Sequence, residues 1–138
     1  MAAEPDCIFC RIVAGELPAT VIREDERTLA FMDINPWSRG HVLVIPRAHA
    51  ADIHAIEPDD LAAVLLAGQD VARRQLEVLD ADGVNLFNSS GKVAGQVVFH
   101  FHLHVIPRYA DDAIGNPVGR DPAIGEPEQI AEAARALA

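Results

Sequence analysis

Seven residues, His100-Phe101-His102-Leu103-His104-Val105-Ile106, restrict this chain more than any others, because histidine and apolar residues alternate strictly through them. Side chains at i, i+2 and i+4 share one face of a β-strand, so the pattern predicts a strand with three imidazoles on one side. Phe101, Leu103 and Val105 then enter the core from the other. Half of the six histidines would face one way. Such a face is costly to cover unless a ligand, a metal or a phosphate occupies it. The three cannot share one ion: at about 3.3 Å per residue the outer pair is about 13 Å apart, against metal bonds of about 2.0 Å. The strand must divide its labour.

The rest of the chain reads as a frame for that strand. Cys7 to Glu16 predicts a short helix closed by Gly15, and Val21–Glu24 with Thr28–Ile34 predicts a hairpin around Asp25-Glu26-Arg27. His41 to Ile45, nearly all apolar and ended by Pro46, predicts a central strand buried on both faces. Pro58 with Asp59 and Asp60 opens one long helix reaching about residue 80, its stripe formed by Leu61, Val64, Leu65, Val71, Leu76 and Leu79. Val84 to Ser89 predicts a fourth strand, followed by a Gly91–Gly95 turn. Beyond Tyr109, glycines and prolines predict an aperiodic tail along the surface, then a short helix over Glu128–Leu137. Five strands joined mostly by short turns, with one long and one short main helix, give an α+β class with antiparallel pairing.

A length of 138 residues suits one domain spanning 1–138, with its core at about 7–108 and a tail at 109–138. No apolar run reaches the roughly 20 residues of a membrane span, and Met1 to Asp6 carries no signal-peptide pattern, so a cytoplasmic location is expected. A net charge of −10 argues against a general nucleic-acid binder, although one small phosphate can still be held by amides and histidines. Cys7 and Cys10 are the only cysteines. In a reducing compartment their C-x-x-C spacing reads as half a zinc site or as a redox pair, and no βαβ context supports the latter.

The alternation resembles the His-φ-His-φ-His-φ-φ signature of the histidine triad (HIT) family, where φ is apolar. The likeness extends to Cys7-Ile8-Phe9-Cys10, Asp33-Ile34-Asn35-Pro36, Gly40-His41-Val42-Leu43-Val44-Ile45-Pro46, Asn88 and Ala94-Gly95-Gln96. The resemblance implies a five-stranded antiparallel sheet, a homodimer, and hydrolysis or transfer of a nucleotidyl group at its α-phosphate. By position, it assigns His102 as the nucleophile, its ring oriented by the carbonyl of His100, with His104 and His41 completing the catalytic cluster. Asn88, Gly95, Gln96 and the backbone N–H of Val97 would bind phosphoryl oxygens, Asp33 the ribose, and Ile8, Phe9, Ile12 and Ile34 a purine base. Val97 departs from members that carry a hydroxyl residue there, which removes one side-chain donor near the leaving group.

Some bacterial members resembling this chain bind structural zinc, and the matching positions are Cys7, Cys10, His49 and His100; no organic cofactor is implied. The leading expectation is therefore a phosphoramidase releasing an AMP- or GMP-like purine nucleotide through a covalent nucleotidyl-His102 intermediate. Dinucleoside polyphosphate hydrolysis by the same residues, or nucleotide binding with little activity, are the alternatives. The 111–125 tail is a candidate contributor to a dimer partner's pocket.

Overall fold

A computed structural model describes residues 4–114 and 125–138, so the 115–124 part of the expected tail, and with it most of the 111–125 segment, lies outside the described residues. Five antiparallel strands form one sheet in the order β1-β2-β3-β5-β4. They are β1 (Val21–Glu24), β2 (Thr28–Met32), β3 (Val42–Pro46), β4 (Gly83–Phe87) and β5 (Leu103–Arg108). Three helices join them: α1 (Ile8–Val13), α2 (Pro58–Val78) and α3 (Pro127–Leu137), with a single 3₁₀ turn at Lys92–Ala94. Among the described residues no helix is long and apolar enough to cross a membrane.

Strand alternation sorts the side chains into two cores. Ala30, Met32, Val42, Val44, Phe101, Leu103 and Val105 meet Val64, Ala67 and Val71 of α2 and Ala133, Ala134 and Leu137 of α3. Leu29, Phe31, Leu43 and Ile45 point the opposite way and pack with Phe9 of α1. The central strand β3 is accordingly buried at all five positions, as its apolar run predicts. Two of the three apolar residues interleaved with the histidines, Leu103 and Val105, are strand residues, and all three occupy the α2 core.

The ladder itself is shorter than the alternation suggests. β5 begins at Leu103, leaving His100 and His102 outside it, because local backbone groups there bond to loops: the Phe101 N–H donates to Ala50 O at 2.7 Å, and His102 O accepts from the Asn88 amide at 2.9 Å. Likewise β2 stops at Met32 rather than Ile34, and His41 lies just before β3. On α2, Leu65 and Leu76 are about half exposed instead of lining the stripe. Val64, Ala67, Gly68, Val71 and Gln75 take the buried face, following the i, i+3, i+4 rule from Leu61. A Cβ on Gly68 would stand 2.7 Å from Leu103 Cδ2, a measure of how closely α2 seats on β5.

Gly40 turns the chain into His41 with φ +91°, and a Cβ there would overlap Leu79 Cδ1 of the α2 terminus. A left-handed conformation and a steric overlap both oppose substitution. Gly40→Ala is expected to lower stability by about 2 kcal/mol. An unchanged urea midpoint would contradict this.

Candidate functional site

On the α1 face of the sheet, five histidines, two cysteines and Asp33 form two adjoining groups. The first contains His102, His104, His41 and Asp33. His102 is 8% exposed, and its Nδ1 lies 2.8 Å from the carbonyl oxygen of His100. A carbonyl only accepts, so Nδ1 carries the proton and Nε2 keeps its lone pair. At the other end of the group, the Trp37 N–H donates to Nδ1 of His41 at 3.0 Å. This leaves the Nε2 proton of neutral His41 to donate to His104 Nδ1, 2.9 Å away. The remaining proton of His104 then sits on its Nε2. Two backbone groups therefore set the protonation of three rings: a free nitrogen on His102 beside an N–H donor on His104, with ring centroids 5.1 Å apart.

Burial holds these imidazoles neutral, since charge is costly away from water. It lowers His41 well below its ordinary value, His104 to about 3 and His102 in the same direction. The same burial raises Asp33, whose Oδ1 accepts the Asn35 N–H at 2.8 Å and whose Oδ2 stands 3.4 Å from His41 Nε2. Asp33, His41 and His104 converge closely enough to suggest a cation site. However, the facing nitrogens share one hydrogen bond, the N–H of His41 Nε2 directed at the lone pair of His104 Nδ1, so neither is open to an ion.

A stability consequence follows for His41 and His104. Their folded pKa values lie below the unfolded value, so as pH falls through about 6.5 the unfolded chain takes up protons that the folded one refuses. Stability is present above that pH and lost below it; between pH 6.5 and 5.5 the two residues together should remove about 2 kcal/mol. Urea midpoints measured across that interval check the sign, and a flat profile contradicts it.

The second group gathers Cys7, Cys10, His49 and His100, whose candidate ligand atoms all lie within 4.8 Å of one another. Cys7 Sγ is 3.4 Å from His100 Nδ1, and Cys10 Sγ is 3.2 Å from His49 Nδ1 and 3.5 Å from His100 Nδ1. A tetrahedron with metal–sulfur bonds of about 2.3 Å and metal–nitrogen bonds of about 2.05 Å has sulfur–nitrogen edges of about 3.6 Å. The donor set fits zinc. His100 Nε2 donates to Pro46 O at 2.8 Å, leaving Nδ1 as the ligand atom, in the manner of metal-bound histidines whose second nitrogen is anchored. Burial is the largest cause that pushes the His100 pKa down to about 4, with His49 and His102 acting the same way, and it likewise pushes the Cys10 thiol up.

Phe9 links the two groups. Its ring stands edge-on to His100 at 5.9 Å, to His102 at 5.2 Å and to Phe31 at 5.4 Å. Ile12 packs into the same apolar cluster, whereas Ile8 and Ile34 are 45% and 70% exposed. Beside Asp33 and His41 a cleft of about 310 Å³ opens, walled on its far side by Glu126, Gln129 and Ile130 at the start of α3.

At the Gly91–Gly95 turn, the donors expected to meet phosphate make bonds within the protein. Gln96 is buried and its amide is consumed by the backbone: Oε1 accepts the Gly91 N–H at 2.7 Å, and Nε2 donates to Ala51 O at 2.6 Å and Val98 O at 3.0 Å. The Gly95 N–H donates to Lys92 O and the Gln96 N–H to Gly91 O, so the turn satisfies itself. Gln96 and Gly95 build the loop and present no unspent donor. The N–H of Val97, whose side chain is exposed, has no intramolecular partner among the described residues. Asn88 is shared: one amide N–H holds His102 O, Ser90 Oγ donates to its Oδ1 at 2.6 Å, and a second N–H remains. Trp37 and Phe87 are additions; Phe87 stacks on His104 at 4.4 Å because β4 register pairs the two residues.

Comparison with known proteins matches residues 14–111 to a HIT domain model. A HIT-like protein of Methanocaldococcus jannaschii is 47% identical over 106 residues, covering 77% of this chain and 81% of its own. An adenosine 5'-monophosphoramidase of Candida albicans is 39% identical over 127 residues, covering 86% and 80%. Among solved structures, a zinc-bound histidine triad family protein of Mycobacterium smegmatis aligns with a TM-score of 0.86 at 41% identity, over 96% of this chain and 90% of its own.

Proposed function

The chain belongs to the HIT domain family, and from that membership we propose that it is a nucleotidyl hydrolase that cleaves purine nucleoside phosphoramidates through a covalent intermediate on His102. The observation that carries the reading is the fixed tautomer of His102, with Nδ1–H on the carbonyl of His100 and Nε2 bearing a lone pair. The name of the Candida albicans relative supports the substrate class.

In the first step a bond forms between His102 Nε2 and the α-phosphorus, while the phosphorus–nitrogen bond breaks and the departing amine takes a proton from water. The ring becomes an imidazolium, and the His100 carbonyl on its Nδ1–H stabilises that charge. Donors at His104 Nε2, the Val97 N–H and the second N–H of Asn88 meet the phosphoryl oxygens as their charge shifts. In the second step water attacks phosphorus, the phosphorus–histidine bond breaks, and neutral imidazole returns with release of the nucleoside monophosphate. Asp33 accepts from the ribose hydroxyls, and Phe9 with Ile8, Ile12 and Ile34 encloses the base.

Cys7, Cys10, His49 and His100 hold zinc in this reading. With four protein ligands and no open position, the ion supplies a cross-link between α1 and the sheet, and no chemistry at the substrate. The chain acts as one domain and pairs as a homodimer, a reading supported by exposed apolar residues on α2 (Leu65, Leu66) and on edge strand β4 (Leu86). Light scattering should give twice the chain mass, and a strictly monomeric mass contradicts the pairing.

The exposed Val97 favours a second reading, since a polyphosphate leaving group departs without a proton donor. Adenosine 5'-phosphoramidate and a diadenosine polyphosphate, compared as substrates, separate the two. Faster release of AMP from the phosphoramidate is expected; turnover of the polyphosphate alone would reverse the order, and turnover of neither would remove the enzymatic reading.

A further inference from the structure

Gln75 is the one polar side chain of α2 that is fully buried, and its Oε1 has no hydrogen-bond partner among the described residues. Its Nε2 donates to Gly40 O at 3.0 Å and to Val105 O at 3.1 Å. The reverse placement of the amide would set its oxygen against two carbonyls, so this orientation is fixed by its partners. An unpaired buried oxygen costs stability that a leucine would avoid. Its retention asks for a reason beyond packing.

Register supplies one. Val42 pairs with Val105 in the last rung of the β3–β5 ladder, and just beyond that rung Gly40 comes up against Pro107, whose Cγ would lie 3.4 Å from a Cβ built on the glycine. The His41 carbonyl accepts the Asp33 N–H on the β2 side, whereas the Gly40 carbonyl, beside Pro107, is the one that Gln75 reaches. Pro107 has no N–H to answer it. The amide of Gln75 takes that place and spans to Val105 as well. These two carbonyls belong to the residue before His41 and the residue after His104, and those imidazoles meet on the opposite face at 2.9 Å. We propose that Gln75 is a positioning residue, replacing the ladder donor that Pro107 lacks and so fixing the His41–His104 hydrogen bond from the far side of the sheet.

The inference rests on the phosphoryl-transfer reading for its kinetic consequence only. In Gln75→Leu, kcat on adenosine phosphoramidate should fall about tenfold with KM within about twofold, because the groups misplaced act on the transition state. The ¹⁵N signals of His41 and His104 should lose their fixed-tautomer pattern. Adding Pro107→Ala returns an N–H opposite Gly40 and should restore both readouts. Should Gln75→Leu fail to fold, Gln75→Asn, one methylene short of both carbonyls, provides the same measurements. Wild-type nitrogen signals and wild-type kcat per folded molecule in Gln75→Leu overturn the proposal whatever the melting temperature does, as does a double variant that recovers nothing. An inactive wild type would remove the phosphoryl-transfer reading instead, and the nitrogen spectra would still decide the role of Gln75.

Discussion

His102→Asn is expected to reduce kcat/KM for adenosine phosphoramidate by about a thousandfold or more, since the only imidazole with a free nitrogen at the site is lost. His41 cannot replace it, because its Nδ1 accepts from Trp37 and its Nε2 is turned to His104. His104 cannot either: its Nδ1 is occupied and its Nε2 bears the proton. The asparagine amide can still reach the His100 carbonyl, so the fold around it should persist. Steady-state kinetics together with a thermal melt check both halves, and a variant retaining a tenth of wild-type turnover contradicts the assignment.

The second large effect concerns the Cys/His group. Wild-type protein should carry about one zinc per chain by metal analysis, and Cys10→Ser should lose it. Cys10 is 3% exposed and faces both His49 and His100, so no alternative donor stands nearby. Because metal bound only by the folded state is folding free energy, the loss should cost about 3 kcal/mol or more, about 10 °C in Tm for a chain of this size. α1 has six residues, too few to be stable alone, and it brings Phe9 to His102. Turnover should therefore fall along with stability. Wild-type protein free of metal at full stability and activity would remove zinc from the account.

Period-2 alternation made the histidine strand legible, because its apolar partners Phe101, Leu103 and Val105 had one place to go. β3 was equally plain from its run of Val42 to Ile45. By contrast, Gln75 escaped a reading that looks for apolar periodicity, since a polar side chain at a core position looks like a gap in the stripe. Leu65 and Leu76 filled that stripe by hydrophobicity while the helix turned them outward. Phe87 could not be seen beside His104 because the β4–β5 register is set by pairing between distant segments. For Gln96 and Gly95 the motif gave the residues without their direction. Only the folded turn shows their donors spent on Gly91, Lys92, Ala51 and Val98. The gathering of His49 and His100 with the two cysteines was legible through resemblance alone, as His49 stands 39 positions after Cys10 and His100 a further 51 positions on.

The central claim is that phosphorus is passed to His102 Nε2, and intact-mass spectrometry after rapid acid quench of enzyme with adenosine phosphoramidate or a phosphorothioate analogue tests it directly. A single nucleotidyl adduct should appear on the wild-type chain, map by peptide sequencing to His102, and be absent from His102→Asn. An adduct on another residue, or turnover with no adduct at any quench time, would contradict the account.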